Sequence, residues 1–142
     1  MTFTIDSSTE HGAKTLDRVE EQTLAWLTTV SSDGTPQPNP VWFLWNDGTF
    51  LIFSKPGQAK LANIARHPRV SLNLEATEDQ EQITIFTGTA EVTDAASVGQ
   101  DLLDRYAARY ADRLPGIGMT RQQYEAAYTV VIRFTPDKLR GW

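Results

Sequence analysis

The chain has 142 residues, a formal net charge of -5 and 40% hydrophobic residues, among them four Trp and six Phe. That is the size and composition of one globular domain with a core of its own, and the acidic balance argues against a dedicated nucleic-acid or anionic-membrane partner. There is no cysteine, which excludes disulfides, thiolate nucleophiles, Cys-ligated zinc and iron–sulfur clusters.

Residues 1–14 read as a loose polar tail without the apolar stretch of a signal peptide. No apolar run approaches the ~18 residues of a membrane span. From Thr15, taken as an N-cap, Leu16, Val19, Thr23 and Trp26/Leu27 recur at helical spacing, with Asp17, Arg18, Glu20 and Glu21 facing outward. Strand signals follow. LAWLTTV leads into Asp33-Gly34, a hairpin signal; PVWFLW leads into the turn Asn46-Asp47-Gly48; and TFLIFS completes an expected three-strand meander. Pro36, Pro38 and Pro40 demote their segment to a sheet edge, because proline donates no ladder hydrogen bond. Val41 to Trp45 is apolar on both faces, which calls for cover on both sides.

Residues 58–66 read as a short helix ended by His67-Pro68. RVSLNLE then alternates, with Val70, Leu72 and Leu74 on one face. After an acidic loop, ITIFTGTAEVTD reads as a strand with Gly88 at a bulge. Asp94 is expected to cap a helix running to Leu114, TRQQYEAA is a further short helix, and YTVVIRFTP is a last strand. This order predicts a mainly β, α+β domain over residues 15–142, with about six antiparallel strands joined by tight turns and closed into a small barrel.

No dinucleotide, P-loop, metalloprotease or nucleophile-elbow motif is present. His11 and His67 read as structural or solvated, Glu78, Asp79 and Glu81 as a solvated loop, and Tyr106 and Tyr110 as core or partner packing. One stretch gathers positive charge in an acidic protein: FSKPGQAKLANIARHPRV, residues 53–70, carries Lys55, Lys60, Arg66, His67 and Arg69. Either this is a solvated turn or it holds an anion. Lys60 lies in the first turn of its helix, where unpaired backbone N–H groups and an ammonium together suit a phosphate, with Ser54, Lys55 and Gln58 near enough in sequence to assist.

The passage from Asp33 to Glu75, with ITIFTGTAEVTD after it, resembles the split-barrel flavin-binding family related to pyridoxamine 5′-phosphate oxidase. Within that family it is most similar to the small actinobacterial members that use the deazaflavin coenzyme F420. The most specific match is the run Lys60, Asn63, Ile64, Pro68, Arg69, Val70, Ser71, Leu72; GTAEV and the terminal RGW are weaker. The resemblance implies a cofactor phosphate on Lys60 and Gln58, with Asn63 recurring in the deazaflavin branch. It places Phe53 and Ser54 along the cofactor, and the backbone of Asn39, Pro40, Val41, Trp42 and Phe43 against its ring. It further implies a homodimer with the site between subunits, and a hydride transfer that needs no catalytic side chain; the lack of cysteine fits a cytoplasmic protein. Trp42, Phe43 and Trp142 are the expected substrate pocket. No metal, nucleic-acid or membrane partner is implied. Ala59 and Asn39 stand where the pyridoxal-phosphate-forming enzymes carry charged groups, which argues against vitamin B6 oxidation. FMN in place of F420, and a non-catalytic deazaflavin carrier, are the alternatives.

Overall fold

The computed structural model describes residues 2–142. A first helix, α1 (Glu10–Glu21), leads into the hairpin β1 (Ala25–Val30) and β2 (Pro36–Val41). A second hairpin follows, β3 (Leu44–Asn46) and β4 (Thr49–Ser54), then α2 (Ala59–Arg66), β5 (Arg69–Leu74) and β6 (Thr84–Asp94). Helices α3 (Gln100–Tyr110) and α4 (Arg121–Ala127) intervene before the closing strand β7 (Val130–Gly141). All seven strands pair antiparallel in one sheet, in the order β2-β1-β5-β6-β7-β4-β3. Among the described residues no helix is long and apolar enough to cross a membrane.

That order makes the sheet roll up. Its edge strands, β2 and β3, would lie about 29 Å apart if it were flat. Only Trp42 and Phe43 connect them, and three residue steps reach at most ~11 Å. The sheet therefore curls until its edges nearly meet, which gives a split barrel. The expected meander is thus two hairpins on opposite edges. The reason lies in the prolines: β2 pairs with β1 throughout, and Pro36, Pro38 and Pro40 share one parity along it. Their nitrogens all face the free edge, which offers no donors there for a third strand.

Alternation along β4 sorts the core into two clusters. Phe50 and Ile52 point into the barrel with Phe43, Phe86, Ile132 and Phe134, while Leu51 and Phe53 point outward to α3 and α4 with Val131. The strand with both faces covered is thus β4, fully buried from Phe50 to Ser54. The Val41–Trp45 segment serves instead as the crossing between edges.

The N-terminal segment departs from the loose-tail reading. Thr9 caps α1 through its side chain, which accepts from the Gly12 N–H at 2.9 Å. Ile5 is buried in the barrel core and Phe3 packs edge-on to Phe86, centroids 6.4 Å apart. Thr15, expected as the cap, is a buried mid-helix residue. Arg18, expected outside, is buried too, donating to the Thr84 hydroxyl at 2.8 Å and to the Glu75 carbonyl. Asp94 caps a 3₁₀ turn, Ala95–Ser97, with α3 beginning after it.

The register of β6 on β7 shifts between Thr87 and Gly88, where the bulge was expected. A Cβ at Gly88 would sit 2.2 Å from the Thr135 carbonyl oxygen. Gly88→Ala is accordingly expected to destabilise the fold by ~2 kcal/mol or more, since backbone rather than a pliable side chain must yield. A urea midpoint unchanged from wild type would refute this.

Candidate functional site

Two neighbouring features qualify as a site, and the β4–α2 connection joins them. The first is the start of α2. Gln58 occupies the N-cap position but makes no side-chain cap hydrogen bond, so the first N–H groups of the helix lack a side-chain acceptor. Lys60 is half-buried and forms no ion pair among the described residues. Partial burial of its ammonium pulls its pKa below the usual lysine range. A desolvated cation beside uncapped N–H donors is a local excess of positive charge, which an anion would relieve.

The other residues expected at this phosphate divide. Ser54 is buried and its hydroxyl donates to the Lys55 carbonyl at 2.9 Å, which shapes the loop while leaving oxygen lone pairs free to accept. Lys55 is exposed, with its ammonium 5.6 Å from the centroid of the Tyr128 ring. Asn63 takes a different role. Its buried amide donates to the Thr29 hydroxyl at 3.0 Å and to the Gln37 side chain at 2.9 Å. It therefore fastens α2 to β1 and β2, and so orients the helix start.

The second feature is a cavity of about 300 Å³ on the outer face of β4, beneath α3 and α4. Its walls include Trp42, Phe53, Tyr106, Tyr110, Tyr124 and Tyr128. The residue pairs 106/110 and 124/128 are each one helical turn apart, which puts both hydroxyphenyl rings of a pair on one face. Trp42 stacks on Tyr110 (4.5 Å, 7°) and Tyr124 on Tyr128 (4.0 Å, 11°). The Tyr106 and Tyr124 hydroxyls lie 2.9 Å apart. Loss of water on burial pushes both phenol pKa values well up, so each keeps its proton.

Of the expected substrate pocket only Trp42 lies at this cavity. Phe43 points the other way, fully buried against Phe50 in the barrel (5.6 Å), and Trp142 is exposed at the far end of β7, where its N–H meets the Ile83 carbonyl at 3.1 Å. Alternation explains the split: adjacent residues of an extended segment face opposite ways. On the expected ring-facing strand, Pro40 is exposed, Asn39 half-buried and Val41 buried in the core. The four tyrosines were the part missed by sequence reading. Their repeated four-residue spacing on two separate helices was the available signal, and only Tyr106 and Tyr110 were noted, as packing residues. Among the described residues no three His, Cys, Asp or Glu side chains group as a metal site.

A rolled antiparallel sheet with an anion-ready helix start beside an aromatic cavity has the architecture of a split β-barrel. The model of the family described as pyridoxamine 5′-phosphate oxidase matches residues 12–142. The chain belongs to that family. Several solved structures share the fold. An F420 reductase superposes with a TM-score of 0.71 at 22% identity, covering 87% of this chain and 94% of its own. The heme storage protein of Vibrio cholerae gives 0.68 at 15% identity, covering 90% and 92%. An FAD-binding protein of Mesorhizobium loti gives 0.65 at 16% identity, covering 91% and 90%. No curated protein sequence matches the chain. At such identities the likeness shows the fold alone, and the fold carries several cofactors.

Proposed function

We propose that this protein is an oxidoreductase that transfers a hydride between reduced coenzyme F420 and a small, electron-poor organic substrate. The observation that carries the reading is Lys60: a half-buried ammonium without a carboxylate partner among the described residues, at a helix start whose N-cap side chain leaves the first N–H groups uncapped. Those donors fit the cofactor phosphate, with Gln58, Lys55 and the Ser54 lone pairs beside them. The backbone from Asn39 to Trp42 would face the ring, and Phe53 would close one side. Bound F420 supplies an obligate two-electron hydride carrier. The chain's share of the work is to orient the reactants and exclude water, for which the aromatic cavity is suited.

The reading includes a homodimer. The β2 positions Pro36, Gln37, Pro38 and Pro40 are exposed in the single chain, so a ring lying along them needs a second surface to keep water out. Sedimentation should therefore show a species of twice the chain mass, and a monomer at micromolar concentration would count against it.

Calorimetric titration tests the cofactor. Wild-type protein should bind F420 more tightly than FMN, because Ala59 and Asn39 provide none of the charge that a flavin mononucleotide phosphate would otherwise find. Lys60→Ala should weaken F420 binding roughly 10- to 100-fold, the worth of one charged hydrogen bond, with the melting temperature unchanged. Unchanged affinity would remove the phosphate from Lys60; tighter FMN binding would reverse the choice of cofactor. Tight F420 binding without oxidation of the reduced cofactor by any enone, quinone or nitroaromatic would leave a carrier.

A further inference from the structure

The two ends of the proposed cofactor site stand on different elements. The anion-ready helix start belongs to α2, while the strand expected along the ring is β2. Of the two, β2 is the less anchored. It is an edge strand, paired only with β1. Pro36, Pro38 and Pro40 leave it just two ladder donors between residues 36 and 40, the N–H groups of Gln37 and Asn39. Exposed, singly paired segments of this kind open most easily in a folded protein.

One side chain joins the two ends. Asn63 is buried in the second turn of α2, and its amide donates to the Thr29 hydroxyl (3.0 Å) and to the Gln37 side-chain oxygen (2.9 Å). Thr29 and Gln37 are directly opposed partners in the β1–β2 ladder. The two hydrogens of one amide therefore clasp one cross-strand pair. Thr29 is fully buried, so its contact belongs to the core. Gln37 is exposed, and its contact is the one side-chain hydrogen bond between α2 and β2 among the described residues. An exposed tie adds little to the fold. Its worth lies in geometry. A ligand that spans α2 and β2 binds only while the two stand at the right distance, and its apparent affinity falls with the fraction of molecules so arranged.

We propose that Gln37, acting through Asn63, is a positioning residue that holds β2 in register with the start of α2 and so sets the span of the cofactor site. The proposal rests on the cofactor reading above. It adds to that reading a residue that works by accepting the Asn63 amide and not by touching the cofactor.

Two measurements on the full chain test this. The first is native-state hydrogen exchange of the cofactor-free protein, read at the Asn39 amide of β2. Gln37→Ala should speed that exchange about three- to tenfold, the worth of one neutral hydrogen bond. Gln37→Glu keeps an acceptor for the Asn63 amide and should exchange like wild type to within about twofold. The second is calorimetric titration with F420. Gln37→Ala should weaken binding about three- to tenfold, because fewer molecules hold the two ends in register. Asn63→Ala should weaken it at least as much. The double variant should then bind no more weakly than Asn63→Ala alone, to within about twofold, since the pair acts as one unit. Unchanged exchange at Asn39 or unchanged F420 affinity in Gln37→Ala would overturn the proposal. So would fast exchange in Gln37→Glu, or losses that multiply in the double variant, which would mean that Gln37 acts on its own. Faster exchange in a protein that does not bind F420 would refute the cofactor reading and leave the tie between β2 and α2 standing. Tight F420 binding with multiplying losses would do the reverse.

Discussion

Phe50→Ala is expected to lower the unfolding free energy by about 3–5 kcal/mol, the range for deleting a buried phenyl ring from a core that cannot collapse around the gap. Phe50 is fully buried and central to the barrel's aromatic cluster. Its ring centroid lies 4.7 Å from Trp45, 5.0 Å from Phe86, 5.6 Å from Phe43 and 5.9 Å from Phe134. These partners come from four other segments, β6 and β7 among them, so no single shift of backbone can fill the void. Phe53, three residues on, supplies the contrast. It faces the outer cavity, with Tyr106 4.6 Å away, and its loss only enlarges a space already present. Phe53→Ala should therefore cost less stability and change ligand binding more. Urea unfolding of the two variants checks the order. A Phe50→Ala loss below that of Phe53→Ala would mean that the barrel interior is not the dominant core.

The sequence carried the local elements and left the long-range ones open, for reasons that particular residues make plain. Turn chemistry is written in the chain: Asp47 and Gly48 both take positive φ (49° and 87°), the mark of the tight hairpin expected there. The alternation of Val70, Leu72 and Leu74 fixed the inner face of β5, and Gly88 the bulge. The pairing of β4 with β7 and of β1 with β5 is not a local property. An apolar run such as PVWFLW satisfies a meander as well as a crossing, and only closure of the barrel decides. The start of α1 was missed because its cap, Thr9, sits in a wholly polar stretch where no apolar periodicity marks the helix. Lys60 lies in the first turn of α2 as the spacing implied, since the start of a helix is a local feature. The contacts of Asn63 were not legible, because its partners, Thr29 and Gln37, come from strands whose approach to α2 no local pattern reveals. The same holds for the cavity, whose walls combine a crossing residue, a strand and two helices.

Arg109→Ala is the second large expected effect, about 2–4 kcal/mol, and it bears on the site as well as on the fold. The Arg109 guanidinium donates to the Phe43 carbonyl at 2.9 Å, to Glu20 at 2.6 Å, to Val19 at 3.1 Å, and to the Gln22 carbonyl. The last three belong to the C-terminal end of α1, whose carbonyls have no helical partner and favour a cation. The first belongs to the two-residue crossing that joins the sheet's edges. Its charge also lies 4.7 Å from the centre of the Phe43 ring. One planar fork thus ties α3 to α1 and to the turn that sends Trp42 outward and Phe43 inward. Removing it strands several part-buried carbonyls at once, each costing about 1–3 kcal/mol if left unpaired, less where water reaches them. Arg109→Lys should recover only part of the loss, because an ammonium cannot span four acceptors in the fork's geometry. Both variants should also weaken ligand binding in the aromatic cavity, since Trp42 is aimed by the same crossing. Tyr110→Phe separates the two roles: it keeps the ring stacked on Trp42 while deleting the hydroxyl contacts to Phe43 and Thr23. If Arg109→Ala costs less than about 1 kcal/mol in urea unfolding, the crossing is held by its own packing, and the coupling between the barrel seam and the cavity falls with it.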